Sequence, residues 1–509
     1  MQQHRPGFEE KIRSFCRGKR RIFLYGPGHC GVLMQQAMEI LSIDAFAGFL
    51  STTGTRGARP SIPIANVVPQ LCAEDGIVFS FVGENEQREI AAQLPCPSLL
   101  MLDREWVGLH RFLMRRNLVW NLQQEASKTP PENIQGKRIL VIQLEATFGD
   151  MVWSTAFLRE LRKAAGVEAE ITMVVSTGMH DFQQGCPYVN RILDYDGNLH
   201  HTVDNSMVEK AKRYAETYLQ GFDMVFLPRR LPEQFSDAIE NVLLANFSGA
   251  RIRIAHMTYL TPLQKEMYDL WSKYFSVIIR QEAGRAEANC DCDLLRACGI
   301  PLKDADTRME YWLSPTGRKI AAKNMMPFAA GKRWKTLVVV GIVSSVPSRG
   351  YSPEGYRWLF HQLPDVGFVI LGGKDAGAAA REAAEGCNNV LDFTGKTTIP
   401  GAAAMVEQCD AYLGSDTGLM HFAAAFGKPC VLVTSSLPDS PAGWGTAPLR
   451  TGPWLVPKKI LQPKRGLDGC KYLCSAARPH CINTIPKEDI RAALESLLRE
   501  QKLLSCEGK

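Results

Sequence analysis

The sequence predicts an α/β protein made of successive parallel-sheet units, and three observations carry that expectation. Short apolar strands alternate with amphipathic helices along most of the 509 residues. A polar stretch with paired prolines, Glu125 to Asn133, interrupts the chain just before a fresh apolar strand. Two strand ends run straight into glycine-containing loops that open helices, at Gly26–Gly31 and at Ser415–His421. The chain is too long for one ordinary core, so two or three domains are expected.

Composition narrows the function classes. Hydrophobic residues at 45% and charged residues at 22% are ordinary soluble usage. A formal net charge of +6 over this length is too mild to indicate a nucleic-acid binder, though it suits an anionic substrate. There is no apolar run long enough to span a bilayer, and Met1 to Glu10 lacks the apolar core of a signal peptide. The 15 cysteines are scattered instead of forming a disulfide framework, so a cytoplasmic protein is expected.

The first unit, residues 1–128, opens with strand Arg21–Tyr25, the loop Gly26-Pro27-Gly28-His29-Cys30-Gly31 and a helix over Val32–Leu41. Strand, G-x-G-x-x-G loop and helix are the context of the dinucleotide fingerprint, which makes this unit Rossmann-like. The acidic residue that would hold a ribose is missing: Ser51-Thr52-Thr53 occupies its place, and Asp44 precedes the second strand. The glycines therefore read as tight-turn and packing residues, or as a site for another phosphate ligand, ahead of NAD. The basic-aromatic stretch Trp106–Trp120, with Arg111, Arg115 and Arg116, reads as a packing helix or as a lipid-headgroup contact.

A linker at 129–136 leads to a second unit, 137–330. Strand Arg138–Ile142 is followed by the loop Leu144 to Asp150 and an amphipathic helix expected over Met151–Lys163. Asp150 reads either as the N-cap of that helix or as a catalytic carboxylate. A third unit, 331–490, repeats the plan and is followed by a C-terminal helix and tail at 491–509. In it, Ser415-Asp416-Thr417-Gly418-Leu419-Met420-His421 follows an apolar strand and starts a small-residue helix. Unpaired backbone N–H groups and the positive dipole end make such a start a ready phosphate site. Thr417 and His421, one turn apart, lie on the same helix face. His421 reads as a donor to a bound anion or as a buried histidine bonded to a carbonyl.

These residues resemble glycosyltransferase family 9, the heptosyltransferases of lipopolysaccharide core synthesis. The likeness rests on Ile139–Ile142 leading to Gly149-Asp150-Met151-Val152, on Leu158-Arg159-Glu160-Leu161-Arg162, on Pro187-Tyr188-Val189, on Asp416 to Pro429, and on Trp444-Gly445 with the tail cysteines. It spans about residues 136–490 and leaves the first unit outside. The resemblance implies a GT-B pair of Rossmann-like domains. It also implies an inverting, metal-independent transfer of heptose from ADP-heptose to a lipopolysaccharide-core-type acceptor. Asp150 would be the general base, with Thr147 and Gly149 on the acceptor-side loop. Asp416, Thr417, Gly418, His421, Arg349, Ser345 and Asp375 would bind the donor. From spacing alone, Arg349 reads equally as a surface arginine.

Two departures stand out. The family loop usually reads Arg-Leu-Ser-x-x-Gly-Asp, whereas Gln143-Leu144-Glu145-Ala146-Thr147-Phe148-Gly149-Asp150 lacks the arginine and carries one residue more. The acceptor thus stays open between inner-core lipopolysaccharide, another glycan or a protein. Cys470, Cys474 and Cys481 are spaced as ligands of a structural zinc or iron, or as free thiols or a local disulfide. Three cysteines are one short of an all-thiolate site, and adjacent His480 and Cys481 look awkward as joint ligands; Cys290-Asp291-Cys292 reads as incidental. The competing functions are another GT-B enzyme of nucleotide sugars, such as an epimerase or a UDP- or GDP-sugar transferase, and a non-catalytic nucleotide-sugar-binding scaffold.

Overall fold

The computed structural model describes residues 7–52, 60–80, 84–102, 133–144, 147–183, 185–197, 205–231, 239–258, 262–282, 284–331, 334–344, 347–438, 447–467 and 480–504, with 105–106, 108–109, 111–113, 122, 125–128, 440 and 470. Three parallel sheets follow one another along the chain. The first contains β1 (Arg21–Tyr25), β2 (Phe46–Ser51), β3 (Ser61–Pro63), β4 (Asp75–Phe79) and β5 (Ser98–Leu99), in the order β3-β2-β1-β4-β5. The second contains β6 (Arg138–Gln143), β7 (Glu170–Ser176), β8 (Arg191–Tyr195), β9 (Met224–Leu227), β10 (Ile252–Thr258) and β11 (Val277–Gln281). Its order is β11-β10-β9-β6-β7-β8. The third contains β12 (Thr336–Gly341), β13 (Val366–Leu371), β14 (Val390–Asp392), β15 (Ala411–Gly414), β16 (Cys430–Val433) and β17 (Lys458–Leu461), in the order β14-β13-β12-β15-β16-β17.

Each sheet starts at its centre, winds one way and then reverses, which is the doubly wound plan. The central strands are near-continuous apolar runs: Ile139 to Ile142 and Val338 to Val340 are all fully buried, as strands covered by helices on both faces must be. The strand order reverses between β6 and β9 and between β12 and β15. At these switch points the connecting loops diverge and leave a crevice at the carboxyl ends of the strands.

In the first unit, a Cβ on Gly31 would run into the Gly26 carbonyl and lie 3.0 Å from the Phe49 ring. That glycine serves close packing of helix on strand. Thr52, where a ribose-binding acid was missed, pairs its hydroxyl with Tyr25 at 2.9 Å. Trp106, Leu109 and Leu113 are buried, so the described part of that stretch packs inward; Arg115, Arg116 and Trp120 lie outside the described residues. The end of the first unit is pinned to the second, with Ser127 N–H donating to Arg251 O at 2.8 Å.

The connector between the second and third sheets is tied to the helix Thr155–Ala165. Arg159 donates to Glu310 at 2.9 Å and to the carbonyls of Asp306 and Arg308, while Glu310 N–H donates to Thr155 Oγ1 at 3.1 Å. Helix Pro315–Gly331 packs on Ile399–Gln408 of the third sheet's layer, where a Cβ on Gly317 would press on the Pro400 carbonyl. The last helix, Lys487–Glu500, buries Ile490, Leu494, Leu497 and Leu498 in the third core. Aromatic rings close the seam between the two units. Phe182 lies nearly parallel to Phe148 (6.0 Å, 27°) and to Phe422 (5.9 Å, 27°), with Tyr311 against it at 4.9 Å.

Candidate active site

Asp150 stands at the switch point of the second sheet. Its helix begins at Phe148 instead of Met151, with Thr147 as N-cap, so Asp150 occupies the first turn and is not the cap. Thr147 takes the extended cap conformation (φ −128°, ψ 146°), but its hydroxyl turns to Asp150 Oδ2 at 2.8 Å. The single helix expected over Met151–Lys163 is two helices, Phe148–Trp153 and Thr155–Ala165. The break falls at Ser154, whose Oγ bonds Met151 O at 3.1 Å and Gln143 Oε1 at 2.6 Å, a local side-chain competition with the helix. Gln143 then sends Nε2 to the Asp150 carbonyl at 3.2 Å, and Asn241 Oδ1 receives the Leu144 N–H at 3.0 Å. Gln143, Ser154 and Asn241 are all buried, so the loop is held from inside the domain.

Asp416, Thr417 and Gly418 follow β15 at the switch point of the third sheet. The helix Gly418–Ala425 has Thr417 as N-cap without a side-chain cap bond. The Thr417 hydroxyl lies 3.2 Å from Tyr412 Oη, which donates to Ser415 O at 2.5 Å. Asp416 Oδ2 accepts from Thr451 Oγ1 at 3.0 Å, and Oδ1 is 3.5 Å from His421 Nε2. His421 is buried and accepts on Nδ1 from the Trp153 indole at 3.2 Å.

The two helix starts meet. A Cβ at Gly149 would lie 2.8 Å from His421 Cδ2. One at Gly418 would lie 3.4 Å from Phe148 Cβ and 3.6 Å from Gly149 N. Glycine at both positions lets the two domains approach backbone to backbone. The cleft therefore has Asp150 and Thr147 on one wall and Asp416, Thr417, Gly418 and His421 on the other. Burial pushes the Asp150 carboxyl above the usual carboxylate range; the Thr147 hydroxyl and the Arg230 guanidinium pull it back, and Asp416 pushes it further up.

Behind this cleft lies a charged cluster that the sequence did not announce. Glu287 Oε1 receives both Arg230 Nη2, at 3.1 Å, and Arg450 Nε. His256 bonds the Pro228 carbonyl and lies 3.2 Å from Asp291. Burial raises Glu287 and Asp291, with Arg230 and His256 opposing. Arg450 and Thr451 share one short helix, so the same turn grips Glu287 and Asp416. The only local signal was Glu287 and Asp291 four residues apart, which reads equally as a solvated face.

The remaining candidates are not gathered into this cluster. Arg349 sits in the turn Pro347–Arg349 after β12, half-buried, and does not hydrogen-bond to the cluster. Asp375 is exposed in the turn Lys374–Ala376 after β13. Both loops leave the carboxyl edge of the third sheet, as Asp416 does. Ser345, Trp444, Gly445 and Cys474 lie outside the described residues. Cys470, His480 and Cys481 place one ligand atom each within 4.8 Å of one another. His480 Nδ1 lies 3.6 Å from Cys470 Sγ and 3.5 Å from Cys481 Sγ, so adjacency does not keep His480 from facing both thiols. Two thiolates and an imidazole suit zinc or iron in a structural role.

Two doubly wound sheets facing across such a cleft make a GT-B-type architecture. Residues 279–454 match the family model "Glycosyltransferase family 9 (heptosyltransferase)", and that match marks the chain as a glycosyltransferase. Among solved structures, the glycosyltransferase family 9 protein from Veillonella parvula is similar at 19% identity and a TM-score of 0.56, over 72% of this chain and 99% of that one. The ADP-heptose lipopolysaccharide heptosyltransferase II of E. coli is similar at 18% identity and a TM-score of 0.51, again over 72% and 99%. At these identities the likeness is one of fold, and it leaves more than a quarter of this chain, enough for the first sheet, outside. No curated protein matches the sequence.

Proposed function

We propose that this protein is an inverting glycosyltransferase that moves a heptose from an ADP-heptose donor to a lipopolysaccharide-core-type acceptor. The observation that carries this reading is the meeting of the Asp150 helix start with the Asp416–His421 helix start across the domain boundary. The donor and acceptor classes take support from the family 9 match and from the named specificity of the similar E. coli enzyme.

The geometry serves that reaction as follows. Asp150, ionised, takes the proton of the incoming hydroxyl as its oxygen attacks the anomeric carbon from the face opposite the leaving diphosphate. Burial makes this carboxylate a stronger base than a free one, while the Thr147 hydroxyl orients it and offsets part of that rise. The charge that develops on the diphosphate falls at the N–H groups of the Thr417–Gly418 helix start, which need no reorganisation to receive it. No catalytic metal is invoked; Arg349, at the same sheet edge, would add a bidentate donor. Thr147 and Gly149 border the acceptor, a glycan or lipid-linked glycan. Ser345 and Asp375 remain donor-side assignments by resemblance.

We place the enzyme in the cytoplasm, where buried thiols such as Cys186, Cys292 and Cys430 stay reduced. A lipid-linked acceptor would bring it to the inner face of the membrane; among the described residues no helix is long and apolar enough to cross one. The deciding experiment is thermal shift of the full chain with ADP, UDP, GDP and NAD, followed by transfer assays. ADP is expected to raise Tm, since a ligand that binds only the native state stabilises it. Stabilisation by UDP or GDP and not ADP replaces the donor class. Full activity of Asp150→Asn removes the base.

A further inference from the structure

Trp153 closes the Phe148–Trp153 helix of the acceptor-side domain, yet its indole reaches into the donor domain. Nε1 lies 3.2 Å from His421 Nδ1, a partner 268 residues away in sequence, and the two rings meet edge-on at 82° with centroids 5.1 Å apart. An indole N–H is a donor and nothing else, so the nitrogen facing it must carry a lone pair. A neutral imidazole has one ring proton, and with Nδ1 accepting, that proton is on Nε2. The ring is only 3% exposed, and Gly149 abuts it so closely that a Cβ there would sit 2.8 Å from Cδ2 and 3.3 Å from Nε2. Nε2 lies 3.5 Å from Asp416 Oδ1, beside the Thr417–Gly418 helix start.

We infer that Trp153 is a positioning residue: it holds His421 as the neutral Nε2–H imidazole and aims that single donor at the departing diphosphate of a bound nucleotide sugar. The inference rests on the glycosyltransferase reading for its ligand, and on the geometry alone for its tautomer. In the reaction the acceptor oxygen forms a bond to the anomeric carbon while the bond from that carbon to the diphosphate oxygen breaks. The electron pair leaves on the diphosphate, and the acceptor proton goes to Asp150. The His421 proton is not transferred. It stays on Nε2 and strengthens its hydrogen bond as charge builds on the leaving oxygen. Because donor and holder sit on different domains, this hydrogen bond is correctly aimed only while the two domains are together.

The test uses the full-length protein with ring-15N-labelled histidine, the His421 signals being assigned by their loss in His421→Gln. Two-bond 1H–15N correlation is expected to show an unprotonated Nδ1 and a protonated Nε2 in the unliganded wild type. Trp153→Phe keeps an aromatic ring and removes the N–H. It is expected to shift His421 to a mixture of tautomers and to lower kcat about tenfold, with KM for the nucleotide sugar little changed, as for an interaction made in the transition state. Ring NMR and the melting curve of this variant separate the effect from misfolding. A wild-type His421 protonated on Nδ1, or a Trp153→Phe protein with wild-type tautomer and kcat, overturns the inference. Absence of transfer with every donor would overturn the proposed function instead, while the tautomer measurement still judges Trp153.

Discussion

Gln143 and Asp150 are joined side chain to main chain: the Gln143 amide donates to the Asp150 carbonyl at 3.2 Å, and Ser154 holds the other end of that amide at 2.6 Å. Gln143 stands where the loop it resembles usually carries arginine, so here a neutral amide braces the Asp150 turn from beneath. Gln143→Met keeps the volume and removes the donor. We expect kcat to fall about 10- to 100-fold, the cost of a carboxylate displaced by a fraction of an ångström to an ångström. Steady-state kinetics with Tm alongside checks this, because a general loss of fold would lower both.

With Asp150 as the proposed base, Thr147 is expected to set the acid side of the pH profile. Its hydroxyl bonds the ionised form of Asp150 and so holds the pKa down against burial. Thr147→Val removes that bond, and the Asp150 pKa rises. Activity needs the carboxylate, so the acidic limb of the kcat/KM profile should move to higher pH in the variant, with a smaller loss at alkaline pH. A limb that stays in place or moves to lower pH contradicts the assignment.

The same raised pKa bears on stability. A carboxyl that holds its proton more tightly in the folded state than in the unfolded one favours folding below its unfolded pKa, and that contribution is lost as pH rises through the folded pKa. At neutral pH ionised Asp150 is therefore a cost to the fold. Asp150→Asn should melt higher than wild type at pH 7 to 8, with the gap closing in acid, while transfer falls at least about 100-fold. Melting curves across pH test the first part and kinetics the second.

Gly149→Ala should separate the two walls. The added Cβ would meet the His421 ring at 2.8 Å, and that ring is held by Trp153. Relief requires the domains to part slightly, which loosens donor and base together. We expect at least about a 100-fold loss of kcat/KM with a small change in Tm.

The tail cluster makes a compositional prediction. Elemental analysis of the full chain should find about one zinc or iron, and Cys481→Ser should abolish it and lower Tm. The Cys481–Thr484 turn packs beside the Pro347–Arg349 turn, so KM for the nucleotide sugar should rise as well. A metal-free wild-type protein leaves Cys470 and Cys481 as plain thiols.

Much of the fold was legible because it is written locally. Apolar strands, glycine turns and small-residue helices mark three doubly wound units, and both Asp150 and Asp416 follow strands that the structure places at switch points. The helix start at Phe148 was not legible, since it depends on Thr147 preferring its own aspartate to a cap bond. Trp153, Arg230 and Arg450 left no readable trace, and the spacing of Glu287 and Asp291 reads equally as a solvated face. Trp153 looks like one more apolar helix residue until the second domain brings His421 to it. Glu287 looks solvated until Arg450, 163 residues on, buries it.

The aromatic seam of Phe148, Phe182 and Phe422 bears on how substrates enter. Near-parallel rings slide across one another at little cost but resist being pulled apart into water. Any opening is thus expected as a rocking of the two units about this dry pivot, the rings gliding over one another while the hinge line stays closed to water.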